Sequence, residues 1–339
     1  MNLFGTPFLT TIDCSYNSTL TSLDLLTYNS PRLSEVNCSY CGLTSIDWKN
    51  LKLTTLDCSY NSNLTMLNNS RDDGVTARPL SSLNVKGCYA LNSINVAGNE
   101  LTSLDLTGLG NLAVLECYNN QLTSLTLRGC TSLEDLYCGG NPLTSLNLND
   151  NSNIKTLDCP CTQIAVLNVK GFTRLTTLSC WSSNIVSLDL RGCNALEQLD
   201  CDRNQIESLI LPKENTVLND VICDYNNLEG VMMDVFVESL PDRNNKEPGF
   251  LLLLGVDSDE HNVCTSQNIR DANSKNWNTF IRTDDGSFIP YSGPGGATTI
   301  RTADADVDDN APRYNMSGQR VGRDYKGVII VNGKKKVVK

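Results

Sequence analysis

The feature that most constrains this chain is a fixed spacing. Leu83, Leu104, Leu125, Leu146, Leu167, Leu188 and Leu209 recur at a constant step of 21 residues. Half a period later runs a second series, Val96, Cys117, Cys138, Cys159, Cys180 and Cys201, again at a step of 21, with Cys223 one residue late. A period of this length means that one small unit is repeated and stacked, because no single unit can bury its own apolar face.

One period reads Leu101-Thr-Ser-Leu104-Asp-Leu106, then Leu112-Ala-Val-Leu115-Glu-Cys117-Tyr-Asn-Asn120. Each half alternates apolar and polar residues over a span too short for a helix. That predicts two short parallel strands per coil, with Leu and Cys inward and the intervening residues outward. Three residues after each cysteine position stands a second column: Asn17, Cys41, Asn61, Asn99, Asn120, Asn141, Thr162, Ser183, Asn204 and Asn226. A turn enclosed between coils needs partners for its backbone groups, and Asn amides supply both donor and acceptor.

With these residues in place, the chain resembles bacterial leucine-rich-repeat proteins with a nested 21-residue repeat, in which both halves carry L-x-x-L-x-L and the second prefers Cys. The match covers roughly residues 9 to 228. It implies a leucine-rich-repeat solenoid of about ten coils with inward Leu and Cys ladders, and it implies a scaffold, not a chemistry. Asn68 to Pro79 breaks the rhythm and reads as a surface insertion at 68–79, either a recognition loop or a tolerated excursion.

Beyond Asn227 the period is lost. Val231, Met232, Val235, Phe236, Ser239 and Leu240 fall at helical spacing before Pro241, Gly249 to Gly255 reads as a buried strand, Thr265 as the N-cap of a helix to about Asn276, and Trp277 as the start of another strand. Residues 229–291 are thus an α/β cap, which extends the family resemblance through Ser239 to Arg243 to about Tyr291. A cap is physically required to cover the last coil and its open strand edge. Residues 292–313 read as a flexible acidic linker. Residues 314–339 read as a β-hairpin tail turning at Asn332-Gly333. Tyr314 to Val321 and Lys326 to Lys339 resemble C-terminal segments of secreted or surface proteins of anaerobic Gram-negative bacteria, some of which look like sorting signals. No basic-then-apolar segment follows Met1, and Thr11 to Cys14 already fit the repeat, which suggests a chain read without its leader.

Composition removes several function classes. Lys and Arg number 27 against 38 Asp and Glu, a formal charge of -11, which opposes phosphate backbones and anionic lipid and argues against a nucleic-acid partner. The longest apolar run, Phe250 to Leu254, is far too short to span a bilayer. The 15 cysteines follow the ladder spacing, so they read as buried thiols filling a narrow core, with Cys88, Cys130 and Cys193 after their glycines doing the same. Cys38-Ser-Tyr-Cys41 and Cys159-Pro-Cys161 invite a zinc site, but no second pair completes one. Asp304 to Asn310 begins like a calcium loop yet lacks its turn Gly and distal Glu. No metal or cofactor is expected.

His261 is the only histidine, which leaves little room for a Ser-His-Asp or Cys-His arrangement. Asp158, Asp200, Asp202 and Asp224 read as outward carboxylates that could at most build a hydrolase-like site. The stronger candidates are aromatic. Tyr16, Tyr40 and Tyr60 stand two residues after cysteine in three Cys-bearing half-coils, and Tyr118, Tyr137 and Trp181 are expected to extend that surface along one Cys-side face. Amphipathic rings are common anchors of protein and glycan recognition. The sequence therefore points to a non-enzymatic binding or adhesion module, secreted or held at the cell surface, with a host or environmental protein or glycan as partner. A passive surface spacer is the alternative.

Overall fold

The computed structural model describes residues 8–26, 32–71, 79–215 and 217–293, and the backbone of short strands between 313 and 338. The chain divides into two compact units, Met1–Asn184 and Ile185–Lys339. It is a leucine-rich-repeat solenoid.

In the first unit every strand is three residues long and its central residue points inward. The length follows from the half-period, which leaves about ten residues for a strand and the bend that reverses it. Two sets of parallel strands result. On face I, Thr11–Asp13, Glu35–Asn37, Thr55–Asp57 and Ser82–Asn84 pair in register through Ile12, Val36, Leu56 and Leu83. Ser103–Asp105 and Ser124–Thr126 form a further pair one and two coils on. On face II, Ser45–Asp47, Met66–Asn68, Ser93–Asn95, Val114–Glu116, Asp135–Tyr137, Thr156–Asp158 and Thr177–Ser179 pair in parallel through Ile46, Leu67, Ile94, Leu115, Leu136, Leu157 and Leu178. Those inward residues are essentially inaccessible, apart from the half-buried Leu83. Each stabilises the fold by roughly 1.5–3 kcal/mol relative to exposure.

This register corrects one expectation. Cys14, Cys38 and Cys58 follow strands of face I, whereas Cys117, Cys138, Cys159 and Cys180 follow strands of face II. The cysteine-bearing half-coil changes face along the chain, because a half-coil's face is set by its ordinal place in the coil and not by its residue type. The insertion is also narrower than expected. Asn69 and Ser70 are buried and still in the coil, with Asn69 Nδ2 donating to the Trp48 carbonyl at 3.0 Å; residues 72–78 lie outside the described residues.

In the second unit, Ser187–Asp189 pairs with Ser208–Ile210, while Gln198–Asp200, Asp220–Ile222, Gly249–Gly255 and Trp277–Arg282 run in parallel and Phe288–Pro290 closes the edge antiparallel. Helix α1, Gly230–Ser239, packs against Ser208–Ile210, and α2, Ser266–Ser274, against Trp277–Arg282. The inward face of α1 is Met233, Phe236, Val237 and Ser239; Val231, expected inward, is 73% exposed, because the face that packs is the one carrying Met233, Phe236 and Val237 at three- and four-residue spacing. Thr265 caps α2 through a reciprocal pair with Asn268. In the tail, Arg313–Asn315, Arg320–Val321, Gly327–Val331 and Lys334–Val338 form an antiparallel sheet. Residues 294–312, which hold most of the expected linker and its Asp304 to Asn310 stretch, and the Asn332-Gly333 turn lie outside the described residues.

Candidate functional site: a left-handed bend and its side chains

The site grows out of the bend that follows each strand. At the first residue of the bend a strand-end side chain accepts a backbone N–H: Asp13 Oδ1 from Ser15 at 2.9 Å, Asn37 Oδ1 from Ser39 at 3.1 Å and Asp57 Oδ1 from Ser59 at 2.9 Å. The next residue is left-handed in coil after coil: Gly98 (φ 71), Asn119 (φ 53), Gly140 (φ 64), Cys161 (φ 52) and Ser182 (φ 50) on face II. Gly and Asn take that conformation readily, while other L-residues are penalised by about 1–2 kcal/mol. On face I the same place is filled by Tyr16 (φ 59), Tyr40 (φ 54) and Tyr60 (φ 58).

These three rings stack. Tyr16 and Tyr40 lie with centroids 4.6 Å apart and planes 7° apart, and Tyr40 and Tyr60 at 4.4 Å and 12°. The coil spacing imposes the separation, since each tyrosine N–H donates to the following coil: Tyr16 to the Ser39 carbonyl at 2.9 Å and Tyr40 to the Ser59 carbonyl at 2.9 Å. The stack ends on Gly87, where an added Cβ would lie 2.6 Å from Tyr60 Cδ1. Stacking contributes roughly 0.5–1.5 kcal/mol per pair beyond area burial, which offsets part of the backbone strain. Burial, then the neighbouring tyrosines, push the Tyr40 phenol above its ordinary value.

The arrangement decides what the stripe can recognise. The ring faces between neighbours are taken up by one another, so ligand would meet phenol hydroxyls and ring edges, plus the outer face of Tyr16, which is 75% exposed. Beside the rings runs an outward row of Asp13, Asn37, Asp57 and Asn84, with Asn84 Nδ2 donating to Asp57 Oδ2 at 3.2 Å.

Tyr118, Tyr137 and Trp181 do not extend this stripe. They lie on face II, and in different columns: Tyr137 is a strand residue, while Tyr118 and Trp181 occupy the first place of their bends. The expectation of a single Cys-side face fails because the cysteines themselves change face. A cleft of about 340 Å³ opens on face I where no strand pairs beyond Ser124–Thr126, lined by Thr126, Arg128, Asn147, Asn149 and Asp150 among others.

The bend's third residue carries the polar ladder. Asn141 Oδ1 accepts the Leu122 N–H at 2.9 Å, and its Nδ2 donates to the Cys117 and Cys138 carbonyls at 3.0 and 2.9 Å. Asn120 repeats the pattern, and Thr162 and Ser183 replace it with a hydroxyl pair at 2.8 Å. On face I, Cys41, Cys88 and Cys130 stand in the same place, their thiols reaching the carbonyls of Cys14, Cys58 and Leu106 at 3.1, 3.0 and 3.2 Å. Cys88 and Cys130, expected to fill core space, are thus hydrogen-bonding members of the ladder. Of the 15 cysteines, Cys161 is exposed and the others are buried. Burial pushes the thiols of Cys117 and Cys159 up to about 12.

The carboxylates are corrected as well. Asp224 is fully buried and Asp202 nearly so, because Arg282 clasps both: Nε to Asp224 Oδ2 at 2.6 Å and an Nη2 to Asp202 Oδ2 at 2.8 Å. Burial, followed by the Asp224 charge, pushes Asp202 up to about 6, and burial raises Asp200 as well. Nearby, Glu260 accepts the N–H groups of Tyr225, Gly255 and Asn262 at 2.8, 2.5 and 2.7 Å. His261 Nδ1 lies 2.9 Å from the Asp259 carbonyl. Among the described residues no group of three or more His, Cys, Asp or Glu is placed to hold a metal ion, and no helix is long and apolar enough to cross a membrane.

Sequence reasoning missed the left-handed column, although its recurring Gly98, Asn119 and Gly140 are residues that favour that conformation. It also missed Arg282 and Asn262, whose partners lie tens of residues away. No family model matches the chain, and no curated protein matches it. Solved structures do resemble it. A functional domain of InlJ from Listeria monocytogenes, described as including a cysteine ladder, aligns at 21% identity over 82% of this chain and 65% of its own, with a TM-score of 0.41. The leucine-rich-repeat protein LIC12759 of Leptospira interrogans aligns at 18% identity over 73% of this chain and 84% of its own, TM-score 0.40. YopM of Yersinia enterocolitica aligns at 22% identity over 74% and 61%, TM-score 0.41. The chain spans less than two-thirds of the Listeria and Yersinia chains.

Proposed function

We propose that this chain is a non-enzymatic recognition module, exported and displayed at a bacterial surface, that adheres to a protein through its repeat faces. The observation that carries the reading is the tyrosine stack: three bulky residues kept in a left-handed bend that face II of the same unit gives to the smaller Gly, Asn, Cys or Ser, and kept exposed. Strain retained at an exposed position is a mark of function. The geometry favours protein over glycan at this stripe, because a sugar stacks on ring faces and all but the outer face of Tyr16 and the far face of Tyr60 are mutually covered, whereas a protein surface pairs with hydroxyls, edges and the adjacent amide and carboxylate row. The hydrolase-like alternative loses its support, since Asp202 and Asp224 are committed to Arg282.

The test is an array of extracellular proteins and glycans probed with the wild type beside a triple Tyr16→Ala, Tyr40→Ala, Tyr60→Ala variant of confirmed fold. A protein hit lost in the variant supports the reading. Glycan hits lost in the variant, or no hit at micromolar protein, count against it.

A further inference from the structure

Face II of the first unit carries a second aromatic site of a different kind. The ladder of backbone bonds continues past its strands, with Asn119 N–H donating to the Gly139 carbonyl, Gly140 to Pro160 and Cys161 to Trp181, each at 2.9 Å. Tyr118, Gly139, Pro160 and Trp181 therefore occupy equivalent places on successive coils. Pro160 leans over Gly139, where an added Cβ would lie 2.6 Å from Pro160 Cδ, so the two form a low floor. Tyr118 and Trp181 stand at either end of it, their backbones about 14 Å apart at a strand spacing of ~4.8 Å.

The border of this floor is acidic. Tyr137 pairs in register with Glu116 on one side and Asp158 on the other, and Asp135 lies on the same strand. The charges of all three reach the Tyr137 phenol, which burial and then Asp135 push above its ordinary value. Asp158 is itself pushed up, by burial. An aromatic surface rimmed by carboxylates favours a cation over an anion or an uncharged sugar.

The same fold holds its own guanidinium groups in this way. The Arg203 guanidinium lies 4.2 Å over the Tyr225 ring, with Asp202 3.9 Å away. Arg282 lies 5.3 Å over Phe288 while Asp224 and Asp202 take its N–H groups. In both cases the guanidinium sits between one aromatic ring and one or two carboxylates.

We infer that the floor at Gly139 and Pro160, flanked by Tyr118 and Trp181 and bordered by Glu116 and Asp158, binds arginine side chains of a basic segment in a partner protein. The formal charge of -11 complements such a segment and speeds its approach. Arginine is preferred over lysine because a planar guanidinium lies flat on Trp181 while its N–H groups reach a carboxylate. This rests on the reading of the chain as a binding module but not on the tyrosine stack, which lies on the other face.

The experiment uses the full chain at 150 mM salt, titrated with a capped Arg-Gly-Arg-Gly-Arg peptide, its lysine counterpart and a cello- or chito-oligosaccharide. Trp48 and Trp277 are 2% and 1% exposed, so acrylamide quenching reads Trp181 and bound peptide shields it. The arginine peptide is expected to bind more tightly than the lysine peptide, to protect Trp181, and to lose about tenfold or more in affinity in Trp181→Leu and in Asp158→Asn. Asp13→Asn with Asp57→Asn, and the triple tyrosine variant, are expected to bind it as the wild type does. Equal binding of both peptides that survives Trp181→Leu would overturn the inference in favour of general charge attraction. Oligosaccharide binding that is lost in Trp181→Leu, with none of the peptide, would overturn it in favour of a sugar.

Discussion

Arg282 donates from Nε to Asp224 at 2.6 Å, and Asp224 has no exposed side-chain surface. A carboxylate buried to this degree depends on its partner, and Asp202 shares the same guanidinium. Arg282→Met should therefore destabilise the second unit by about 3–5 kcal/mol, the usual result of stranding a buried charge. Urea denaturation followed by Trp277 fluorescence checks it, and a loss below about 1 kcal/mol would mean that water reaches Asp224.

Burial and the neighbouring Asp224 charge, acting against the pull of Arg282, set a pH dependence at Asp202. Asp202 is raised to about 6 in the folded chain from its ordinary value of 3.8, so between those values the folded state holds a proton that the unfolded state has released. Stability contributed by this group is then greatest below about pH 4 and falls as pH rises through about 6, by up to ~3 kcal/mol at 1.36 kcal/mol per unit. Urea midpoints at pH 5 and pH 7 should differ in that direction for the wild type, and less for Asp202→Asn. An unchanged difference in the variant would assign the slope to other groups.

Gly87 has φ +76, and an added Cβ would lie 2.6 Å from the Tyr60 ring. Gly87→Ala should cost about 1–2 kcal/mol in backbone conformation and displace that ring. Near-ultraviolet circular dichroism should lose tyrosine signal, whereas Gly171→Ala, with φ +79 and open space around its Cβ, should strain the backbone but leave the signal intact.

Asn141 satisfies one buried N–H and two or more buried carbonyls with a single amide. Asn141→Ala should cost about 2–4 kcal/mol by leaving them unpaired. Asn141→Thr should cost less, because Thr162 and Ser183 fill equivalent places one and two coils on. Thermal denaturation of the two variants gives the order directly, and equal losses would show that the hydroxyl does not substitute.

A thiol reagent at pH 8 should find one fast-reacting cysteine, Cys161, in the folded chain and all 15 after unfolding. Cys161→Ser should abolish the fast phase. Few reactive thiols after unfolding would instead mean disulfides.

The repeat and its inward ladders were legible in the sequence because side-chain alternation and a constant period are local properties. Leu115, Leu136 and Leu157 could be placed inward from their spacing alone. Which face a half-coil occupies was not legible from residue type: Cys58 and Cys117 look alike but follow strands of different sheets, and only the pairing of Leu56 with Leu83 separates them. Tyr16, Tyr40 and Tyr60 could be aligned as a stripe, but the mutual covering of their faces depends on a left-handed backbone that tyrosine gives no sign of adopting. Asp224 looked outward because alternation assigns it no inward place; its burial is made by Arg282, 58 residues away.

Asn262 accepts the Leu228 N–H and donates to the carbonyls of Cys223 and Leu253, all at 2.8 Å, which is what Asn226 does for Ile206, Cys201 and Cys223 one coil earlier. The capping unit therefore connects by the coil's own rule, through a standard joint and not a custom-fitted one. Such a terminus is portable: coils could be added or removed ahead of it, lengthening or shortening the display of both faces, without redesigning the closure.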